Sequence, residues 1–373
     1  MSERPSISIV FRQVASTLIE RSGESPVVLL IEKYSKNSND KYFCAATSID
    51  DVDKGEFMSY ASNTGGEKAY RAVQYCFGSG PAQVYISNYS WKETKEMLLA
   101  RNETNCIVTV IDEGADTVND IATSIISTNK AKGYGITGVF QNMSLGLHDT
   151  HLICLATDTY AKYYGSVASG ELSTYEVQGL YAGIIASCGV NRSITNYTLP
   201  LVEKVTNDGD AENYDKLTSN GFVYAEMQSG KPRIIAGVNT AEVGNDVTED
   251  MQHIEFIQIM DMNAKDLRDT FTEYYRGAYK NNYDRQLVLI AAINGYFESL
   301  ADDEILDPKY DNICEIDVDA QRKAWIEKGK TEAEDWDDSK VKMMSLGRKV
   351  FLKASIKPCQ SMEELSMVIT LEG

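Results

Sequence analysis

Short apolar runs alternate with amphipathic stretches of ten or more residues through much of this chain, and that alternation limits its fold more than any other feature. Helical spacing of apolar residues is expected at 67–76, 91–100, 118–132 and 174–187, with strands at 83–87, 106–111, 138–142 and 152–156. Strands separated by helices of this length need crossover connections, which predicts an α/β layer built on a largely parallel sheet. An earlier strand, 27–33, follows the break Ser22-Gly23-Glu24-Ser25-Pro26 and is expected to enter the same core. Segments 222–227 and 233–237 read as a closing hairpin around Ser229-Gly230-Lys231-Pro232.

The last third has a different character. A strand is expected at 253–260, a helix at 264–275, a break at 277–282 and a long helix at 283–300. A strand at 314–317, a helix at 320–328, an acidic loop and two terminal strands at 349–356 and 365–371 follow, the last with Leu365, Met367, Ile369 and Leu371 alternating inward. At the other end, Ser6-Ile7-Ser8-Ile9-Val10-Phe11 places Ile7, Ile9 and Phe11 on one face of a strand with no hairpin turn beside it. The expected division is an arm strand at 1–22, a central α/β domain at 23–240, an α+β domain at 241–357 and a second arm strand at 358–373. The fold class is α/β, and α+β overall.

With 373 residues, 43% of them hydrophobic, the chain has material for roughly two or three domains of ~150 residues. Its longest apolar runs are far short of the ~18 residues that cross a bilayer, and the N-terminus shows no apolar signal core, so synthesis in the cytoplasm and no membrane insertion are expected. Seven scattered cysteines with no Cys-x-x-Cys pair fit reduced thiols better than a disulfide framework or a zinc site. A net charge of −19 disfavours nucleic acid and anionic membranes, leaving protein surfaces as partners. Charge is segregated near the end: 298–338 holds fifteen acids against five bases, whereas 339–362 holds Lys340, Lys342, Arg348, Lys349, Lys353 and Lys357 and no acid. A solvated acidic loop beside a basic strand pair explains this, and so do complementary faces that register one subunit against another or against a tube.

Three motifs invite a chemical reading. Gly133-Tyr134-Gly135-Ile136-Thr137-Gly138 is a literal G-x-G-x-x-G, but a helix precedes it and a strand follows, the reverse of a dinucleotide-binding turn. His148-Asp149-x-His151 has an i, i+3 spacing that needs a helix to bind a metal, but Gly146 and the strand run that follows read as a loop, and no third cluster of His or Cys occurs elsewhere. Asp208-Gly209-Asp210-x-Glu212 reads as a solvated turn without the twelve-residue calcium pattern. No nucleophile elbow, phosphate loop or zinc-protease helix is present, and no catalytic residue, cofactor or metal is expected.

Three stretches carry a resemblance: the opening Pro5 to Phe11, the break Tyr274-Tyr275-Arg276-Gly277-Ala278-Tyr279-Lys280-Asn281-Asn282-Tyr283-Asp284-Arg285, and the closing run Ser355 to Ile369. Together they resemble contractile tail sheath proteins, particularly the short sheaths of clostridial and bacillar phage tails and phage-tail-like bacteriocins. Relative to that family the Gly and Lys of the break are spread out, and the large inserted domains of long sheaths are missing. The resemblance implies a structural subunit, not an enzyme, that polymerises as stacked hexameric rings around a tail tube and contracts to drive the tube through a cell envelope. It implies as partners the chain itself, the tube protein, and baseplate and terminator proteins, with synthesis in a bacterial host and release in a virion tail or particle on lysis. The C-terminal domain would face the tube, with Lys340, Lys342, Arg348, Lys349, Lys353 and Lys357 as contacts to tube or neighbour. Physical chemistry points the same way for the arms: a lone apolar strand needs a ladder and a cover, and addition to a neighbour's sheet edge supplies both. Ile7, Ile9 and Phe11, with Leu365, Met367, Ile369 and Leu371, are the residues expected to exchange, and ~14 extended residues reach up to ~45 Å. Two other readings compete: a cytoplasmic α/β enzyme acting on a small substrate, and a tube or baseplate component of the same particle.

Overall fold

The structure is a computed structural model that describes residues 19–31, 41–60, 65–111, 115–141, 143–144, 146–156, 161–166, 170–207, 217–244 and 246–370. The described chain forms two compact units whose boundary lies between Lys265 and Asp266, further along than the change of character placed at 240. Residues from Pro358 onward belong with the larger, earlier unit.

That larger unit is built on the expected sheet. Strands β1 (Val27–Leu30), β2 (Phe43–Ala46), β3 (Val84–Ser87), β4 (Asn105–Val110), β5 (Gly135–Gln141), β6 (Leu152–Leu155) and β9 (Phe222–Val223) stand in the order β2-β3-β1-β4-β5-β6-β9. Every neighbouring pair is parallel except β2 with β3, which is antiparallel at the edge. The helices are α1 (Lys54–Tyr60), α2 (Gly65–Gly78), α3 (Trp91–Ala100), α4 (Ala115–Lys132) and α5 (Thr174–Cys188). They cover both faces, so every β1 residue is buried: Val27 and Leu29 pack with residues of α2 and α5, and Val28 and Leu30 with residues of α3 and α4. Ser90 starts α3 with a capping box, its hydroxyl receiving the Glu93 amide while the Glu93 carboxylate accepts the Ser90 amide.

Helix α5 is buried almost end to end. It lies against α2 through two glycines: a Cβ on Gly179 would stand 2.5 Å from the Ala72 carbonyl oxygen, and one on Gly183 2.4 Å from that of Cys76. Small strands complete the unit. β7 (Ala161–Gly165) pairs antiparallel with β8 (Val202–Asn207), and β10 (Ala225–Gln228) with β11 (Lys231–Ile234) across Ser229 and Gly230, both at positive φ. A hairpin was expected here, but its bounds differ: Lys231 and Pro232 belong to β11 and not to the turn, Phe222 and Val223 pair with β6, and the two turn residues take the left-handed region that fits a right-twisted ribbon. The sequence did not announce β2, β7 or β8.

One expected element changes type. Residues 253–260 were expected as a strand, but they open the helix α6 (Ile254–Thr270). The buried positions Glu255, Ile259, Met262, Asn263 and Asp266 repeat at three and four. Three of those five are polar, and this hid the helical stripe behind the alternation of Ile254, Phe256 and neighbours.

The smaller unit contains a π turn (Phe271–Tyr275), α7 (Tyr283–Asp302), β12 (Ile313–Ile316), α8 (Val318–Glu327), α9 (Asp338–Met343) and β13 (Leu352–Ser355). Leu289, Ile293, Tyr296, Phe297 and Leu300 form the buried face of α7. Asn294 ties that helix to β12, accepting the Cys314 amide at 2.7 Å and donating to its carbonyl at 3.3 Å. A small cluster of Ala333, Trp336 and Val341 holds α9 against α8 residues Val318, Trp325 and Ile326. The overall composition of sheet and covering helices is α/β in the first unit and α+β across the chain, as expected from the sequence.

Candidate interaction surfaces

Phe271 to Arg285 form an open cavity of about 660 Å³ in the smaller unit. Its shape starts from backbone: Gly277 takes φ 79°, and Asn282 caps α7 by accepting the Arg285 amide at 2.9 Å. Asn281 fixes the opposite wall, donating to the carbonyls of Gly347 at 3.1 Å and Lys349 at 2.9 Å while accepting from Gln286 Nε2 at 2.7 Å. Arg276, Lys280, Arg285 and Arg348 line the space, and no acid does. The Arg285 guanidinium lies over the Tyr279 ring, 5.1 Å from its centre. Gln286 is 3% exposed, and its Oε1 has no hydrogen-bond partner.

The basic set singled out by the sequence divides in two. Lys353 pairs with Glu315 at 3.2 Å, Lys342 approaches the same carboxylate at 3.9 Å, and Lys357 pairs with Asp307 at 2.8 Å. The hydrogen bond from Lys357 holds the Asp307 carboxyl below its ordinary range, and Glu315 raises Lys353. Much of the segregated charge therefore closes within one chain. Lys340 sits over the Trp336 ring at 4.7 Å and, after the hydrogen bond from Lys330, its charge helps to lower the Glu332 carboxyl, whereas Arg348 and Lys349 have no carboxylate partner among the described residues.

A second surface is the edge pair β12 and β13, an antiparallel sheet of two strands that carries no third strand among the described residues. A third is the tail. Ser361 anchors it: its amide and hydroxyl donate to the Glu255 carboxylate at 3.0 and 2.9 Å, and its oxygen accepts the Ser193 amide at 3.0 Å. Beyond that clamp every residue from 362 to 370 is exposed. Leu365, Met367 and Ile369 are 88%, 67% and 68% exposed, and so is Val368, at 91%, on the alternate side. Over 365–370 the expected strand with an inward face does not form in the single chain, because no ladder partner lies beside it among the described residues. Leu371, and Ile7, Ile9 and Phe11 at the other end, lie outside the described residues.

The rejected motifs have definite roles. The Gly133 turn, φ 64°, ends α4 and leads into β5. The stretch 208–212 lies outside the described residues. His148 and His151 diverge: the first meets the Thr240 carbonyl at 2.9 Å and Glu242 at 3.4 Å, the second lies between Asp261 at 3.1 Å and Asp149 at 3.3 Å. No group of three or more metal-capable side chains occurs among the described residues. Gly135 admits the Asp261 carboxylate, whose Cγ would stand 2.4 Å from a Cβ there. The described cysteines are free thiols, and burial pushes Cys154 up to about 12 and Cys188 to about 11, far from a reactive thiolate.

Burial opposes a charge on His151, yet the two carboxylates outweigh it and raise its pKa from 6.5 to about 10. A raised folded-state pKa stabilises fully below the unfolded value and is lost as pH climbs through the folded one. The larger unit should therefore lose stability between pH 6.5 and about 10, on the order of a few kcal/mol. Urea unfolding of His151→Gln should show that slope flattened; an unchanged slope would assign the pH dependence to other groups.

Comparison with known proteins gives both sequence and fold relatives. Residues 246–372 match the phage tail sheath C-terminal domain. Over 98% of both chains the sequence is 24% identical to the tail sheath protein of Clostridium phage phiCD119. The fold is similar to a sheath tail protein from Listeria innocua, with a TM-score of 0.65 and 11% identity over 92% of this chain and 94% of that one. It is also similar to the anti-feeding prophage helical sheath in its contracted state, with a TM-score of 0.67 and 12% identity over the full length of both chains. The resemblance read from the three sequence stretches is borne out.

Proposed function

We propose that this contractile tail sheath protein is the repeating subunit of a sheath that stacks as hexameric rings around a tail tube and shortens to drive the tube through a target envelope. Its role is mechanical and needs no catalytic residue or cofactor. The observation that carries the reading is the tail, nine consecutive exposed residues that include Met362, Leu365, Met367, Val368 and Ile369. A soluble monomer gains nothing from such a run, whereas a polymer covers it. The two-stranded sheet of β12 and β13 offers a short edge to which a neighbour's arm adds as a strand. With Ile7, Ile9 and Phe11 from one neighbour and Leu365, Met367, Ile369 and Leu371 from another, the sheet closes across subunits.

Contraction is then a rearrangement of rigid subunits from a trapped extended lattice to a shorter, wider one, with the arms as joints that hold neighbours together. Arg348 and Lys349, without a carboxylate partner among the described residues, and Lys340 are the contacts we assign to the tube or a neighbour. Tube, baseplate and terminator proteins are the other partners, and the assembled particle forms in the bacterial host before release on lysis. The contracted state of the similar anti-feeding prophage sheath supports this mechanism.

Negative-stain microscopy of the purified chain tests the reading. Ring-stacked hollow cylinders are expected from the full chain and none from a chain lacking residues 1–14. Cylinders of normal length from the shortened chain would sink arm exchange, and a full chain that stays monomeric under all assembly conditions would sink the sheath reading itself.

A further inference from the structure

The cavity around the α7 N-terminus holds four cations, Arg276, Lys280, Arg285 and Arg348, and none of them has a carboxylate partner among the described residues. In a chain of net charge −19, such an acid-free cluster is unusual, since nearby acids elsewhere close their pairs: Asp307 with Lys357, Glu315 with Lys353, Asp338 with Arg322. Like charges held together without a counter-charge repel, so the site is complete only when something anionic enters. Gln286 borders the same cavity at 3% exposure and donates through Nε2 to Asn281 at 2.7 Å, which holds that wall in place. Phe271, Leu289 and Val350 supply apolar wall. An occupant that carries carboxylates and apolar side chains together fits this lining, which is the chemistry of an acidic peptide segment.

This chain displays such a segment. Met362-Glu363-Glu364-Leu365 is exposed throughout, Met362 at 101% and Leu365 at 88%, and neither glutamate makes an ion pair with any described residue. A strongly acidic protein repels its own copies at distance, so self-association needs local sites where that sign is reversed. We propose that the cavity at the helix break seats Glu363 and Glu364 of a second copy, their carboxylates on the four cations, with Met362 and Leu365 against the apolar wall. The proposal rests on the reading that tails join neighbouring subunits, and adds the site that fixes the register of the tail before its apolar strand pairs. Charge-assisted bonds to arginine are directional enough for that role.

Charge exchange on the full chain tests it. R285E with R348E, and separately E363K with E364K, should each abolish cylinders in negative stain while leaving the melting temperature near that of the native chain. The four substitutions together should restore them. A fluorescent synthetic peptide of residues 358–373 should bind the R285E/R348E chain at least ~10-fold more weakly than the native chain, and its E363K/E364K form should reverse that preference. Failure of the combined variant to reassemble, or equal binding of both peptides to both chains, overturns the proposal. So does displacement of the peptide by millimolar inorganic phosphate, which marks a small-anion site. If removal of 362–373 abolishes cylinders while the charge variants assemble normally, tail exchange stands and this seat falls; if that removal has no effect, both fall.

Discussion

A chain ended after Ser361 is expected to melt within about 2 °C of the full chain and to form no cylinders. Residues 362–370 are exposed throughout, and changes at exposed positions away from caps and pairs typically shift stability by less than about 0.5 kcal/mol. The anchoring bonds of Ser361 to Glu255 and Ser193 remain in the shortened chain, so the point at which the tail leaves the larger unit is preserved. Assembly should respond in full, because the five large apolar side chains that a neighbour would cover are removed. Circular dichroism melting and negative-stain microscopy on one preparation separate the two effects. A drop in melting temperature of ten degrees or more would make the tail part of the monomer fold and remove the main support for exchange.

Two helical glycines should respond in opposite directions. Gly183→Val places a branched side chain against the Cys76 carbonyl, 2.4 Å from the Cβ position, where rigid helix backbone cannot yield. Separating α2 from α5 would loosen the buried layer that includes Tyr75, Leu180, Tyr181 and Ile184. A loss of about 3 kcal/mol or more is expected, read as a midpoint shift in urea, with much of the protein insoluble on expression. Gly295 in α7 has nothing within 4 Å of its Cβ position, so Gly295→Ala should raise stability by about 0.5–1 kcal/mol through the cost of glycine in a helix. Equal effects at the two positions would show that helix propensity, not the α2 and α5 crossing, controls Gly183.

The contrast between these glycines was not legible in the chain. Both sit in helical runs among apolar residues, and only the neighbour that faces each one differs. The same holds for the basic residues near the end. Lys342, Lys353 and Lys357 read as free cations beside Arg348 and Lys349, yet β12 brings Glu315 to the first two and Asp307 meets the third. Sequence distance concealed these pairs: Lys357 and Asp307 are fifty positions apart. Helix α6 was misread for a local reason, since its buried stripe includes Glu255, Asn263 and Asp266, and polar residues carry no hydrophobic period.

What the sequence determined by itself was the central layer. Apolar runs between amphipathic stretches leave few ways to bury both faces of each strand, so the parallel sheet, the covering helices and the hairpin at Ser229-Gly230 follow from local patterning. The three stretches that resemble sheath proteins were also visible, because short motifs keep their residue order whatever surrounds them. Only the tertiary structure decided which cations stay unpaired, that the helix break and the Arg348 loop enclose one cavity, and that the apolar tail finds no partner among the described residues of its own chain. Those properties depend on distances between residues far apart in the chain, and electrostatic and packing energies depend on distance in space.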